Sequence, residues 1–150
     1  LALDVTDAQK GFLQTTNASS LAHAYALQTD GEVVVPLAIY ADDVVIGFVM
    51  YTYDRLDHES FTDLPFYNRP CYFVWHFMID AQYQRKHYGK RAFEQVLRHM
   101  HSRTLEEAEY VALFYATQNA AAQYVYRAAG FVETSIIQDQ SVLAIKTLDR

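Results

Sequence analysis

The densest chemistry in the chain lies at Gln84, Arg85, Lys86, His87, Tyr88, Gly89, Lys90 and Arg91. The 150 residues carry a formal net charge of −6, yet four of the twelve basic side chains fall within this one stretch. Apolar residues then recur at helical spacing, at Ala92, Phe93, Val96, Leu97 and Met100. The cations therefore stand at the start of a helix, where they oppose the helix dipole. An anion resting on the free N–H groups of the first turn would remove that penalty, and Gly89 would let the backbone approach it closely. The chemistry this implies is a phosphate or pyrophosphate clamp; the plainer reading is a solvated helix start.

Elsewhere the residues exclude more than they suggest. No Ser-His-Asp arrangement is visible, and the six histidines show no ligand spacing with partner acids, so no metal is expected. Cys71, directly after Pro70, reads as filler in the core or at an edge rather than as a catalytic thiol. It is the sole cysteine, which rules out an intrachain disulfide and fits a reducing, cytoplasmic setting. No apolar run approaches a membrane span and no signal peptide is visible. The negative charge argues against broad nucleic-acid binding. Residues 1–63 hold ten acids against two bases, Lys10 and Arg55, which suits a cationic partner or is ordinary solvated surface. Twelve tyrosines in a chain that is 15% aromatic point to a lined groove, an oligomer interface such as a homodimer, or both.

The elements that must position these groups follow from periodicity and punctuation. Residues 72–79 read as a buried, aromatic strand feeding the basic turn, and the helix begins near Gly89. Ahead of it, residues 16–28 have helical spacing with Ser19 or Ser20 as a cap. Residues 36–40 and 44–53 form a hairpin around Asp42 and Asp43, with Gly47 marking a bulge or close packing. Residues 54–70 read as a long loop with one short helix. Residues 110–116 are a strand, and residues 120–129 a helix capped by Asn119 and stopped by Gly130. Residues 131–137 and 141–148 are antiparallel strands. The sum is an α+β domain with one mixed sheet flanked by helices, its βαβα middle favouring parallel neighbours.

Two motifs in this order carry a resemblance. Gln84-Arg85-Lys86-His87-Tyr88-Gly89 resembles the acetyl-CoA pyrophosphate loop of the GNAT family of N-acetyltransferases, Gln/Arg-x-x-Gly-x-Gly/Ala. The segment from Asn119 through Ala122 and Tyr126 to Gly130 and Phe131 resembles that family's Asn-x-x-Ala-x-x-Leu-Tyr-x-x-x-Gly-Phe. The subgroup most alike is the bacterial spermine/spermidine (diamine) acetyltransferases, through Pro36 to Tyr40, Val45 to Tyr51, and Phe77 to Asp80 followed by Tyr83 and Gln84. The chain departs from the family in having His87 at the usual first glycine. It also lacks the family's first strand, so the domain is expected to be N-terminally incomplete.

The resemblance implies transfer of an acetyl group from acetyl-CoA to a primary amine of a polyamine, by direct attack in a ternary complex. It places the cofactor against Phe77, Met78 and Ile79, the pyrophosphate at Gln84, Arg85, Lys86, His87, Tyr88, Gly89 and Lys90, and further contacts at Asn119, Ala122 and Tyr126. Tyr126 would be the general acid toward the CoA thiolate; from the residues alone it reads as one aromatic of an alanine-rich helix packed against the sheet. The proton-accepting group stays open among Glu32, His76, Glu133 and a chain of waters. Glu32, Tyr51, Asp54, Trp75 and His76 are the candidate substrate contacts, with Asp57 and Tyr53 beside them. Another amine as acceptor, or a CoA-binding module without catalysis, are the alternatives.

Overall fold

The computed structural model describes residues 3–13, 16–103 and 107–149. In chain order it comprises α1 (Asp7–Lys10), α2 (Asn17–Thr29), β1 (Val34–Ala41), β2 (Val44–Arg55), β3 (Pro70–Ile79), α3 (Tyr88–Ser102), β4 (Tyr110–Ala116), α4 (Ala120–Ala128), β5 (Val132–Gln138) and β6 (Ser141–Thr147). Short 3-10 turns at Glu59–Phe61 and Ala81–Tyr83 fall in the connections. The six strands form one mixed sheet in the order β1-β2-β3-β4-β6-β5. This is the sheet with flanking helices expected from the sequence.

The hairpin of β1 and β2 turns at Asp42, whose φ of 51° a short polar side chain tolerates. Pro36 is accommodated because β1 is an edge strand. Gly47 is a site of close packing: a Cβ there would meet the Met78 carbonyl oxygen at 2.5 Å. Thr16, not Ser19 or Ser20, caps α2, its hydroxyl accepting from the Ser19 N–H. The helix thus starts one turn earlier than Ser20, which is buried and faces the sheet.

Two faces of the sheet are covered by different helices. Val49, Tyr51, Tyr72 and Val74 pack with Phe93, Val96 and Met100 of α3 and with Tyr126 of α4. On the opposite face Phe48, Met50 and Met78 pack with Ala24 of α2 and Val34. Farther along that face, Cys71, Ala112 and Leu143 lie beneath Leu56, Phe61 and Phe66 of the long β2–β3 connection.

The β-α-β crossover gives parallel pairing, as right-handed connections do, but only between Cys71–Val74 and Tyr110–Leu113. β6 returns antiparallel to β4 and occupies the place beside it, leaving β5 at the edge. The tight β5–β6 turn makes these two strands antiparallel neighbours: Asp139 and Gln140 both have positive φ, which matches the twist of a hairpin.

Candidate active site

The site begins where the parallel pairing ends. β3 runs on to Ile79 and β4 to Ala116, but their ladder stops at Val74 and Leu113. A register shift coincides with this point: His76 faces Met50 while Val74 faces Tyr51, so Trp75 is an extra residue in β3. Such a bulge bends the strand and reverses the alternation beyond it. Phe77 is thereby turned to the α3 and α4 face, against Phe93 and Tyr126 with ring centroids 5.0 and 6.4 Å away. His76 is turned to the α2 face, where its Nδ1 lies 2.9 Å from the Ser20 hydroxyl.

The splayed strands open a cleft of about 1330 Å³. Phe77, Met78 and Ile79 line one side and Phe114, Tyr115 and Ala116 the other. The backbone of residues 75–79 has no ladder with β4 across this gap, so its edge is available to a ligand carrying amides.

One end of the cleft is the start of α3. His87 precedes the helix with φ 60° and ψ 10°, and Arg85 also has φ 60°. For residues with a Cβ this left-handed conformation costs about 1–2 kcal/mol each. No side chain caps α3 and no acid stands in its first turn, which leaves the initial N–H groups for an anion. Gln84, Arg85, His87, Gly89 and Lys90 line the cleft; Lys86 and Tyr88 do not. Lys86 sits 5.8 Å over the Tyr83 ring and Tyr88 packs edge-on to the same ring. Gln84 donates from its side-chain amide to the Ile79 carbonyl, tying the loop to the end of β3.

Tyr126 closes the middle of the cleft. It is only 7% exposed and sits among Phe93, Tyr115 and Phe131, with centroids 5.0, 5.5 and 5.9 Å away. Burial, followed by the neighbouring Tyr115, holds its phenol well above the ordinary tyrosine range, so it keeps its proton. Asn119 caps α4 by accepting from the Ala122 N–H, and both residues line the cleft.

His76 is a buried polar group of the α2 side. It is 6% exposed, it lines the cleft, and its Nε2 has no hydrogen-bond partner. Desolvation lowers its pKa from the usual histidine value, so the ring is neutral. Trp75 also reaches the cleft, stacked on His23 of α2 with centroids 5.1 Å apart.

The structure does not bring the remaining sequence candidates to the cleft. Tyr51 is fully buried in the core against Tyr72. Glu32 and Asp57 are exposed in connections, and Asp54 is exposed at the far end of β2, opposite Cys71. Glu133 accepts from the hydroxyl of Tyr115, the amide of Gln123 and the guanidinium of Arg127. The first two bonds in particular hold its carboxyl below the usual glutamate range, which makes it a poor proton acceptor. Sequence reasoning passed over Ser20, Tyr115, Phe12 and Leu13, all of which line the cleft. Only Ser20 carried a signal, as a polar residue on the inward face of a predicted helix.

A family model described as "Acetyltransferase (GNAT) family" matches residues 4–131. The chain belongs to this family. Curated protein sequences give no match. Among solved structures, NAA60 of Arabidopsis thaliana in complex with acetyl-CoA superposes with a TM-score of 0.66 at 14% identity, over 94% of this chain and 89% of that one. The ribosomal-protein-S18-alanine N-acetyltransferase of Escherichia coli gives 0.65 at 16%, over 90% and 79%. The PaiA N-acetyltransferase of Thermoplasma acidophilum in complex with coenzyme A gives 0.63 at 14%, over 88% and 72%. At such identities these likenesses concern the fold. Within the GNAT fold the splayed strands and the uncapped helix fit an elongated ligand that has an amide-bearing arm and a phosphate group. Among the described residues no cluster of His, Cys, Asp or Glu is arranged for a metal, and no helix is long and apolar enough to cross a membrane.

Proposed function

We propose that this protein transfers an acetyl group from acetyl-CoA to a primary amine, with Tyr126 supplying the proton to the departing thiolate. The observation that carries this reading is the conjunction, in one cleft, of an unpaired β3 edge, an uncapped α3 start and a phenol that keeps its proton. Acetyl-CoA, when bound, supplies an acetyl group activated as a thioester. The residues of this chain supply placement and proton handling.

Backbone groups of residues 77–79 hold the pantetheine arm, and the N–H groups at the start of α3 hold the pyrophosphate. Arg85 and Lys90 add positive charge there. The acceptor amine enters from the α2 side, where His76 lies, so donor and acceptor meet through the gap in the sheet. Overall an ammonium and a thioester give an amide, a thiol and one proton: the N–C bond forms as the C–S bond breaks. Two protons leave the nitrogen: one passes through His76 or water to solvent, and the other restores Tyr126 Oη after it has delivered its own proton to sulfur. A phenol is an uphill donor to a thiolate in water, where their pKa values are near 10 and 8.5. Burial of the Tyr126 phenol widens that gap, and desolvation of the thiolate in the same dry cleft raises its basicity and offsets the widening. His76, neutral and with Nε2 facing no protein partner, suits a relay better than a store of protons.

The resemblance to diamine acetyltransferases puts spermidine and spermine among the acceptors to be tested. The test is CoA release, followed with a thiol reagent, from acetyl-CoA and a panel of amines. Cys71 is 1% exposed and burial pushes its thiol up to about 12, so the protein contributes little background. Amine-dependent thiol release supports the reading; release that ignores every amine overturns it.

A further inference from the structure

The two halves of the cleft differ in charge. The α3 end presents Arg85 and Lys90, while the walls on the α1 and α2 side are Phe12, Leu13, His23, Met50, Trp75 and His76. Among the described lining residues the only carboxylate is Asp139, in the β5–β6 turn. The acids of residues 1–63 lie elsewhere. Asp4 and Asp7 are paired with Lys10, Asp54 is opposite Cys71 at the other end of β3 from the cleft, and Asp57 is exposed in the β2–β3 connection. Asp80 is buried, and its two oxygens already accept from the N–H groups of Asp4 and Gln82.

This distribution bears on the acceptor. A polyamine brings two or three ammonium groups, and only one of them is spent in the reaction. Each remaining charge must leave water for walls whose described residues offer a single carboxylate, Asp139, which is costly for an ion left unpaired. By contrast Phe12 and Trp75, 37% and 40% exposed, are apolar residues of the cleft lining, Trp75 with the His23 ring against it. Trp is also the best aromatic partner for a single cation.

We propose that the acceptor subsite takes a primary amine with one positive charge and an adjacent apolar or aromatic group, and that Trp75 and Phe12 determine this preference. The proposal rests on the acetyltransferase reading and narrows its substrate class. Such an amine exists both as a free arylalkylamine and as the α-amino end of a peptide whose first side chain is apolar. In either form the ammonium gives up one proton to His76 or solvent, and the apolar group lies against Trp75 and Phe12.

The test compares kcat/KM at saturating acetyl-CoA for 2-phenylethylamine, phenylalanyl-alanyl-alanine amide and spermidine, using the full chain. At least one of the first two exceeds spermidine by about tenfold or more, and the pair of values separates a free amine from a peptide. Trp75→Ala raises KM for the preferred acceptor about tenfold and shrinks its advantage. Phe12→Glu, which places a carboxylate on the wall, shifts the preference toward spermidine. Spermidine equal to or better than both aromatic acceptors overturns the proposal, and so does an unchanged preference in both variants. Calorimetry with acetyl-CoA distinguishes the two levels. Cofactor binding with spermidine turnover removes only this inference, whereas absence of turnover with every amine removes the acetyltransferase reading and this inference with it.

Discussion

Replacing Tyr126 with Phe isolates one hydroxyl. The ring contacts with Phe93, Tyr115, Phe131 and Phe77, at centroid distances of 5.0 to 6.4 Å, survive the change. The substitution keeps side-chain volume, so its effect on stability stays below about 1.5 kcal/mol. The catalytic effect is larger. Loss of a positioned proton donor costs typically 10²–10⁴ in rate, or about 2.7–5.5 kcal/mol in barrier. The assay is kcat for thiol release at saturating acetyl-CoA and amine, alongside calorimetric affinity for acetyl-CoA and a thermal melt. The expected pattern is a fall in kcat of at least a hundredfold, with cofactor affinity and melting temperature nearly unchanged. Tyr126→Ala serves as contrast: it strips the ring from the core and is destabilising by about 3–5 kcal/mol. A Tyr126→Phe enzyme that keeps kcat within twofold would show that the buried phenol is a packing residue.

Further substitutions probe the frame around the site. Gly47→Ala forces a Cβ against the Met78 carbonyl at 2.5 Å and Ile79 at 2.9 Å. It therefore destabilises by about 1–3 kcal/mol and lowers the melting temperature by several degrees. His87→Gly relieves a left-handed residue at φ 60°. The relief of about 1–2 kcal/mol outweighs the roughly 0.5–1 kcal/mol of added chain entropy, so the variant melts at the same or a higher temperature. Lowering the pH charges His76 in the unfolded chain first, because its folded pKa is depressed. Its stabilising contribution is complete above the unfolded histidine pKa of about 6.5 and declines as pH falls through the depressed folded value. Replacing His76 with Gln removes that part of the acid sensitivity, which urea titrations across this range can measure.

Much of this was legible in the chain. Most strands were visible from their apolar runs, and Asn119 and Gly130 bounded α4 as their types predict. The basic turn after β3 and the Tyr126 helix announced the family. What stayed hidden was set by long-range pairing. Nothing local to Trp75 reveals that it is the extra residue of a bulge, so alternation could not say which face His76 takes. The register with Met50 and Tyr51 decides it. The exchange of β5 and β6 in the sheet likewise depends on which strand reaches β4 first, not on either strand's own pattern. Composition pointed to an acidic front half. Only folding shows that those carboxylates are paired with Lys10, turned into connections, or placed at the far end of β3. Tyr51 was a candidate substrate contact, yet its parity along β2 buries it beneath α3.

A crystal structure of the protein with CoA bound tests the acetyl-transfer site most directly. The pyrophosphate is expected on the N–H groups at residues 85–90, the pantetheine beside residues 77–79, and the sulfur within hydrogen-bonding reach of Tyr126 Oη. CoA seated elsewhere on the molecule, or its sulfur held away from Tyr126 on the far side of the sheet, would contradict it.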